Sequence, residues 1–362
     1  MANIELHKKF LEIAGFEGEQ IDEFMPDWLY TLDVIGLTEE DVRYAAEEYI
    51  PLNWDIQYRG VRKMIGAHIR ELAEIAKTKK YKAEGKKIIY GILPAVQIAY
   101  TGYKYAAGDD AYISFPDLLL VNILNGFFHK AAPFLNYAEE LGFTYGCRHC
   151  PLNKMRVAAY AKGIIAAPDV IWSWGLNCDE GPKTDEMIQC MLGEEWKYVI
   201  SRIPHDTYYG QRDDEHDRIA YLASILKSDM DKISEITGIY PSAEDMNKAL
   251  MDFGRFQFKL GTLVALTCNS DPVPLGGNTL GRGPLLVLRQ EPQISSPLPV
   301  CILGLLWSFH RVFRTRLMWA YERPLSSRAG KAVSGFLSVD IGIGGFLSRC
   351  NRDCQSCHLV LS

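Results

Sequence analysis

The chain has 362 residues, is 48% hydrophobic and carries a formal net charge of -6. That is enough apolar chain for a sizeable core, and the length predicts two domains. The acidic balance excludes the basic face on which nucleic-acid binders rely.

The N-terminus, MANIELHKKFLEIAGF, has early acids and no apolar run ending in small residues, so it does not read as a secretory signal. The longest apolar run, Leu298 to Phe309, falls short of the ~20 residues that span a bilayer. The expectation is a soluble, cytoplasmic protein with no membrane or nucleic-acid partner.

Residues 1–85 read as a helical lobe. Thr38 before Glu39, Glu40 and Asp41 is an N-cap signal with acids in the first turn, where the helix dipole favours them. Val61, Ile65, Ile69, Leu72 and Ile75 recur at helical spacing. The lysine-rich KTKKYKAEGKK, ending at Lys87, reads as a solvated linker.

Residues 86–205 read as an α/β domain. Five short strands are predicted: IIYGIL (88–93), AYISF (111–115), FTYG (143–146), DVIWSWG (169–175) and WKYVISRI (196–203). Helices are predicted between them: Ala95 to Ala107, one long helix through DLLLVNILNGFFHKAAPFLNYAEELG, Asn153 to Ile164, and one through EGPKTDEMIQCML. This alternation predicts a flavodoxin-like or Rossmann-like parallel sheet. Residues 206–280 return to helix, with Asp213, Asp214, Glu215 and Asp217 loading a first turn. SDPVPLGG (270–277) suits the entry to a second α/β domain.

The last stretch, 281–362, does not match the body. It holds nine arginines, one lysine and four acids, whereas residues 1–280 hold 41 acids and 29 bases. Nor does SSPLPVCILGLLWSFHRVF show a clear period of 3.6 or 2. The second α/β domain therefore reads as truncated or replaced, as a shifted reading frame would do. The tail's CNRDCQSC has the C-x3-C-x2-C spacing of radical enzymes that bind a [4Fe-4S] cluster and S-adenosylmethionine. At the chain's end, with no barrel after it, this reads as coincidence.

Nine cysteines, an odd number, in a chain without an export signal favour metal or redox chemistry over a disulfide framework. Cys147 and Cys150 form a CxxC in GCRHCPLNK, and Cys178 stands in LNCDEGP. Each is expected just after a strand and before a helix, and in parallel sheets ligands collect beyond the carboxyl ends of strands. Three chemistries stay open. A CxxC at a helix start suits a redox dithiol. Zinc would need a fourth ligand beyond these three thiols. An iron–sulfur cluster suits three thiolates with one iron left open. Trp172 and Trp174 beside Cys178 read either as strand packing or as a dry shell around such a site. Asp179, Glu180, Lys183 and Asp185 read as helix-start capping, and Lys154 and Arg156 as either anion-facing or solvated. Cys190 and Cys268 read as core residues.

Residues 85–280 resemble the 2-hydroxyacyl-CoA dehydratase and benzoyl-CoA reductase family, its D-component-like members in particular. The resemblance is carried by SFPDLLLVNILNGFFHK, GCRHCPLNKMRVAAYAKGII and PDVIWSWGLNCDEGPKTDE. Cys150 with Lys154 four residues on matches one motif, and Cys178 with Asp179 matches another. The resemblance implies two flavodoxin-like domains, a [4Fe-4S] cluster held by Cys150, Cys178 and a third cysteine, and an acyl-CoA substrate. It implies two partners: an ATP-hydrolysing activator that delivers one low-potential electron, and a second copy or a related subunit. It leaves open radical dehydration or ring reduction. The family's third cysteine belongs to the second domain, which 281–362 does not resemble; Cys147 is the extra candidate here. A zinc-binding scaffold of the same fold and a CxxC thiol–disulfide oxidoreductase are the alternatives.

Overall fold

The computed structural model describes residues 3–92, 97–144, 149–175, 180–202, 215–271, 273–276 and 279. Of the described residues, those up to 262 and those from 275 on belong to one compact unit, and those within 263–274 to another. The tail reading of 281–362 therefore lies outside the described residues, as does the apolar run within it.

The N-terminal lobe is helical, as expected. It contains α1 (Ile4–Ile13), α2 (Glu19–Ile35), α3 (Glu39–Tyr44), a π-helical turn at Ala45–Tyr49, α4 (Ile50–Asn53), α5 (Arg59–Ala76) and α6 (Thr78–Ala83). Thr38 caps α3 in a reciprocal box: its side chain accepts from the Asp41 N–H, and Asp41 accepts from the Thr38 N–H. The predicted amphipathic helix is α5, which buries Val61, Ile65, Ile69, Leu72 and Ile75. One reading needs correction. The lysine-rich linker contains α6, because Thr78 is buried, bonds the Ile75 carbonyl and accepts from the Ala166 N–H. Its lysines radiate outward, and Lys80 lies 3.4 Å from the centroid of the Tyr30 ring.

The α/β part is a four-stranded, wholly parallel sheet in the order β2-β1-β3-β4. The strands are β1 (Lys87–Gly91), β2 (Ala111–Ser114), β3 (Val170–Trp174) and β4 (Tyr198–Ser201). All four were legible as short apolar runs. Between β1 and β2 lies α7 (Gln97–Ala107). Between β2 and β3 lie α8 (Pro116–Phe128), α9 (Ala132–Glu140) and α10 (Pro151–Ala161). Then α11 (Glu180–Leu192) joins β3 to β4, and α12 (Glu215–Thr237) and α13 (Ala243–Cys268) follow. The chain is thus an α/β fold with a helical lobe. The lobe and the sheet domain share one core: Trp28 stacks on Phe10 at 4.8 Å, Phe10 meets Phe128 of α8, and Trp54 donates to the Gly126 carbonyl at 2.9 Å.

The predicted third strand, FTYG, is a further correction. Phe143 and Thr144 are in no strand, and Tyr145 and Gly146 lie outside the described residues. Instead α9 ends in a left-handed turn. Gly142 has φ +96, its N–H bonds the Glu139 carbonyl, and the Phe143 N–H bonds the Ala138 carbonyl. That is a Schellman closure, in which a hydrophobic residue just past the helix packs back onto it. The single long helix expected through 117–142 is likewise two, broken where His129 adopts φ +54 just before Pro133. No described helix is long and apolar enough to cross a membrane.

Candidate metal centre

The strand order reverses at β1. The chain leaves β1 for β2 on one side and returns past it to β3 on the other. Connections that part in this way open a crevice at the carboxyl ends of the two strands. Residues 93–96 and 176–179, which follow these strands in sequence, lie outside the described residues, and so do 145–148. Of the three predicted ligands, Cys178 and Cys147 fall in those gaps, and Cys150 is described. Asp179 and the side chain of Trp174 are outside as well.

Cys150 is a free, half-buried thiol at the N-cap of α10, with φ -74 and ψ 165. Its own carbonyl accepts the first helical bond, from the Lys154 N–H at 3.0 Å. Pro151 follows at the first helical position, where its fixed φ and missing N–H cost nothing. Cys150 therefore starts a helix as expected, while residues 145–148 just before it lie outside the described residues.

His149, beside it, is 1% exposed and packs against the Phe143 ring. Its Nδ1 lies 3.1 Å from Thr184 Oγ1 and 3.9 Å from Glu180 Oε2. Burial pushes the imidazole below its ordinary value, against the opposite pull of Glu180. The ring is therefore neutral near pH 7, and the Glu180 contact is not an ion pair. The Thr184 hydroxyl spends its proton on the Glu180 carbonyl at 2.6 Å. It can only accept from His149, so Nδ1 carries the hydrogen and Nε2 the lone pair. Among the described residues, that Nε2 is buried without a hydrogen-bond partner, as are Glu180 Oε2 and Asn153 Nδ2.

Under these helix starts lies a polar cluster that sequence reading missed. Arg156 is fully buried. Its Nη1 donates to Asp117 Oδ2 at 3.2 Å, and its Nη2 to Asn153 Oδ1 at 3.2 Å and the Gly181 carbonyl at 3.1 Å. Its Nε lies 3.3 Å from Asp185 Oδ1, close enough for an ion pair but without hydrogen-bond alignment. Asp185 also accepts from Ser173 Oγ at 2.8 Å and Trp196 Nε1 at 3.1 Å. One guanidinium thus ties α8, α10 and α11, and Asp185 ties them to β3. Four sequence readings change as a result. Arg156 is neither solvated nor free for an anion. Lys154 is 6% exposed and paired with Glu139. Asp185 is a core residue, not a helix cap. Cys190 is exposed, because it lies about 200° around α11 from buried Ile188. The side chain of Cys268 lies outside the described residues.

Burial raises Asp117 to about 7 in spite of Arg156, and it raises Asp185 as well. A carboxyl raised on folding binds more protons in the native state, so its stability contribution is present at acid pH and is lost as pH rises through about 7. Relative to the parent, Asp117→Asn should therefore gain stability as pH rises from about 4 to about 7. Urea midpoints of both proteins across that range test this; parallel curves would show that Asp117 is ionised throughout.

The chemistry of Cys150 fits a thiolate-held iron–sulfur group: a free thiol at a helix start, next to a buried imidazole with an unshared lone pair. Among the described residues no three His, Cys, Asp or Glu side chains gather to hold a metal. Trp172 is packed as a strand residue: it is fully buried, donates to Ser201 Oγ at 2.7 Å and meets the Tyr100 ring. A separate open hollow of about 620 Å³ lies beside β4, lined by Tyr198, Arg202, Tyr221 and Asp229 among others, with no cysteine among its described lining residues. No known protein family matches the chain, and no curated protein matches it.

Proposed function

We propose that the chain is the iron–sulfur subunit of a cytoplasmic, anaerobic system similar to the 2-hydroxyacyl-CoA dehydratases and benzoyl-CoA reductases. In that reading it takes a low-potential electron from an ATP-hydrolysing activator, pairs with a second copy or a related subunit, and acts on an acyl-CoA. The supporting observation is one of proximity. Cys147 stands two residues before His149 and Cys178 two residues before Glu180, and the His149 and Glu180 side chains approach to 3.9 Å. This reading is supported by the meeting of the described residues that flank the two motifs, with Cys150 adjoining.

Cys150, Cys178 and Cys147 would hold the [4Fe-4S] cluster, which supplies single-electron transfer when bound. The first-turn N–H groups of α10 lack intrahelical acceptors and suit an anionic group. The Arg156 cluster beneath keeps the helix starts in register. Anaerobic reconstitution with iron and sulfide should give a brown protein with broad visible absorption, and Cys150→Ala should lose most of the bound iron. A colourless parent overturns the reading, and stoichiometric zinc in place of iron replaces it with a structural zinc site.

A further inference from the structure

The residue preceding the candidate ligand is held from another helix. Nδ1–H of His149 donates to Thr184 Oγ1, and Thr184 donates in turn to the Glu180 carbonyl. This two-bond chain runs from the start of α10 to the first turn of α11. At the very start of α10 Cys150 makes no side-chain cap bond and Pro151 brings no N–H; the other described tie to α11, from Arg156, lies further along the helix. Helix ends fray unless their orphan groups and flanking residues are tied down. Here the tie is His149, with its ring side wedged against Phe143.

We propose that His149 is a positioning residue for Cys150: by donating to Thr184 it fastens the start of α10 to the first turn of α11 and so fixes where the thiol stands. Its importance for function rests on Cys150 being an iron ligand, but the latch itself does not. The imidazole suits the task because its position is set twice, by the hydrogen bond and by the aromatic contact. An asparagine keeps an N–H donor in the place of Nδ1, whereas alanine keeps neither feature. Thr184→Val removes the acceptor and leaves the shape.

The test uses the full chain in two states. In metal-free protein, the rate of Cys150 alkylation by iodoacetamide is read by peptide mapping. His149→Ala and Thr184→Val should each raise it by up to about tenfold, the factor for losing one buried hydrogen bond at the upper end of its usual worth. His149→Asn should restore most of the parental rate. In reconstituted protein, the same two variants should hold less iron and give a broadened or shifted electron paramagnetic resonance signal on reduction, with asparagine again restoring it. Unchanged alkylation in Thr184→Val overturns the latch, as does a rise in His149→Ala that asparagine fails to reverse. If His149→Ala does not fold, Thr184→Val decides alone. A parent that takes up no iron sinks the proposed function, while the alkylation series still decides the latch.

Discussion

Arg156→Ala should destabilise the protein by about 3–5 kcal/mol, the range for removing one partner from a buried ion pair. Deleting the guanidinium leaves Asp117 and Asp185 without their shared cation, and both carboxyls are fully buried. It also orphans Asn153 Oδ1 and the Gly181 carbonyl, which Arg156 alone serves among the described contacts. Arg156→Lys should fall in between, because a single ammonium cannot serve three acceptors on three helices and pair with a second carboxylate as a planar fork does. The diagnostic comparison is Arg156→Met combined with Asp117→Asn and Asp185→Asn. With the charges gone together, much of the loss should return, since the penalty belongs to the uncompensated carboxylates rather than to the missing contact. Urea denaturation of the four proteins measures this. A loss below about 1 kcal/mol for Arg156→Ala would mean that water reaches the site and that Arg156 is no keystone.

A second large effect is expected in the helical lobe. Gly66 lies in the middle of α5, where alanine should by propensity be better by about 1 kcal/mol. Sterics reverse the sign. A Cβ at Gly66 would sit 2.2 Å from the Ala14 carbonyl oxygen, which is backbone and cannot swing aside. A Cβ at the nearby Gly15, which has φ +75, would likewise sit 2.7 Å from the Arg62 and Lys63 backbone. The end of α1 and the middle of α5 therefore touch main chain to main chain. Gly66→Ala should cost about 2 kcal/mol net, within the usual range for overpacking. Gly60→Ala is the internal control: it lies in the same helix in open space, and should be neutral or slightly stabilising. Thermal melts of both variants check the pair, and equal melting temperatures would refute the close approach.

What the sequence revealed and what it hid divide along physical lines. Strand cores such as IIY and VIW announce themselves because a buried parallel strand must be apolar along its length. Thr38 was legible as a cap because its partner, Asp41, is three residues away. Phe143 misled because an aromatic after glycine looks like a strand start, whereas here it closes α9. Arg156 was invisible for a different reason. Its partners Asp117 and Asp185 lie 39 and 29 residues away, and only the packing of three helices brings them together. An isolated arginine on a helix reads as solvent-facing unless those partners are known. The cysteine motifs were legible as motifs. The contact beside them was not, since it runs from His149 to Thr184 and Glu180 of α11, distant in sequence.

The contact between Asp55 and the far end of the described chain bears on how the protein assembles. Gly276 N–H and Thr279 Oγ1 both bond Asp55 Oδ2, at 2.8 and 2.7 Å, across 221 and 224 residues of sequence. Closing so large a loop is entropically costly and tends to be slow. On a ribosome the helical lobe emerges first, and Asp55 must wait through the synthesis of the whole sheet before its partners arrive. This clasp is thus a late step of folding, one that can close only after nearly everything between its two halves has been made.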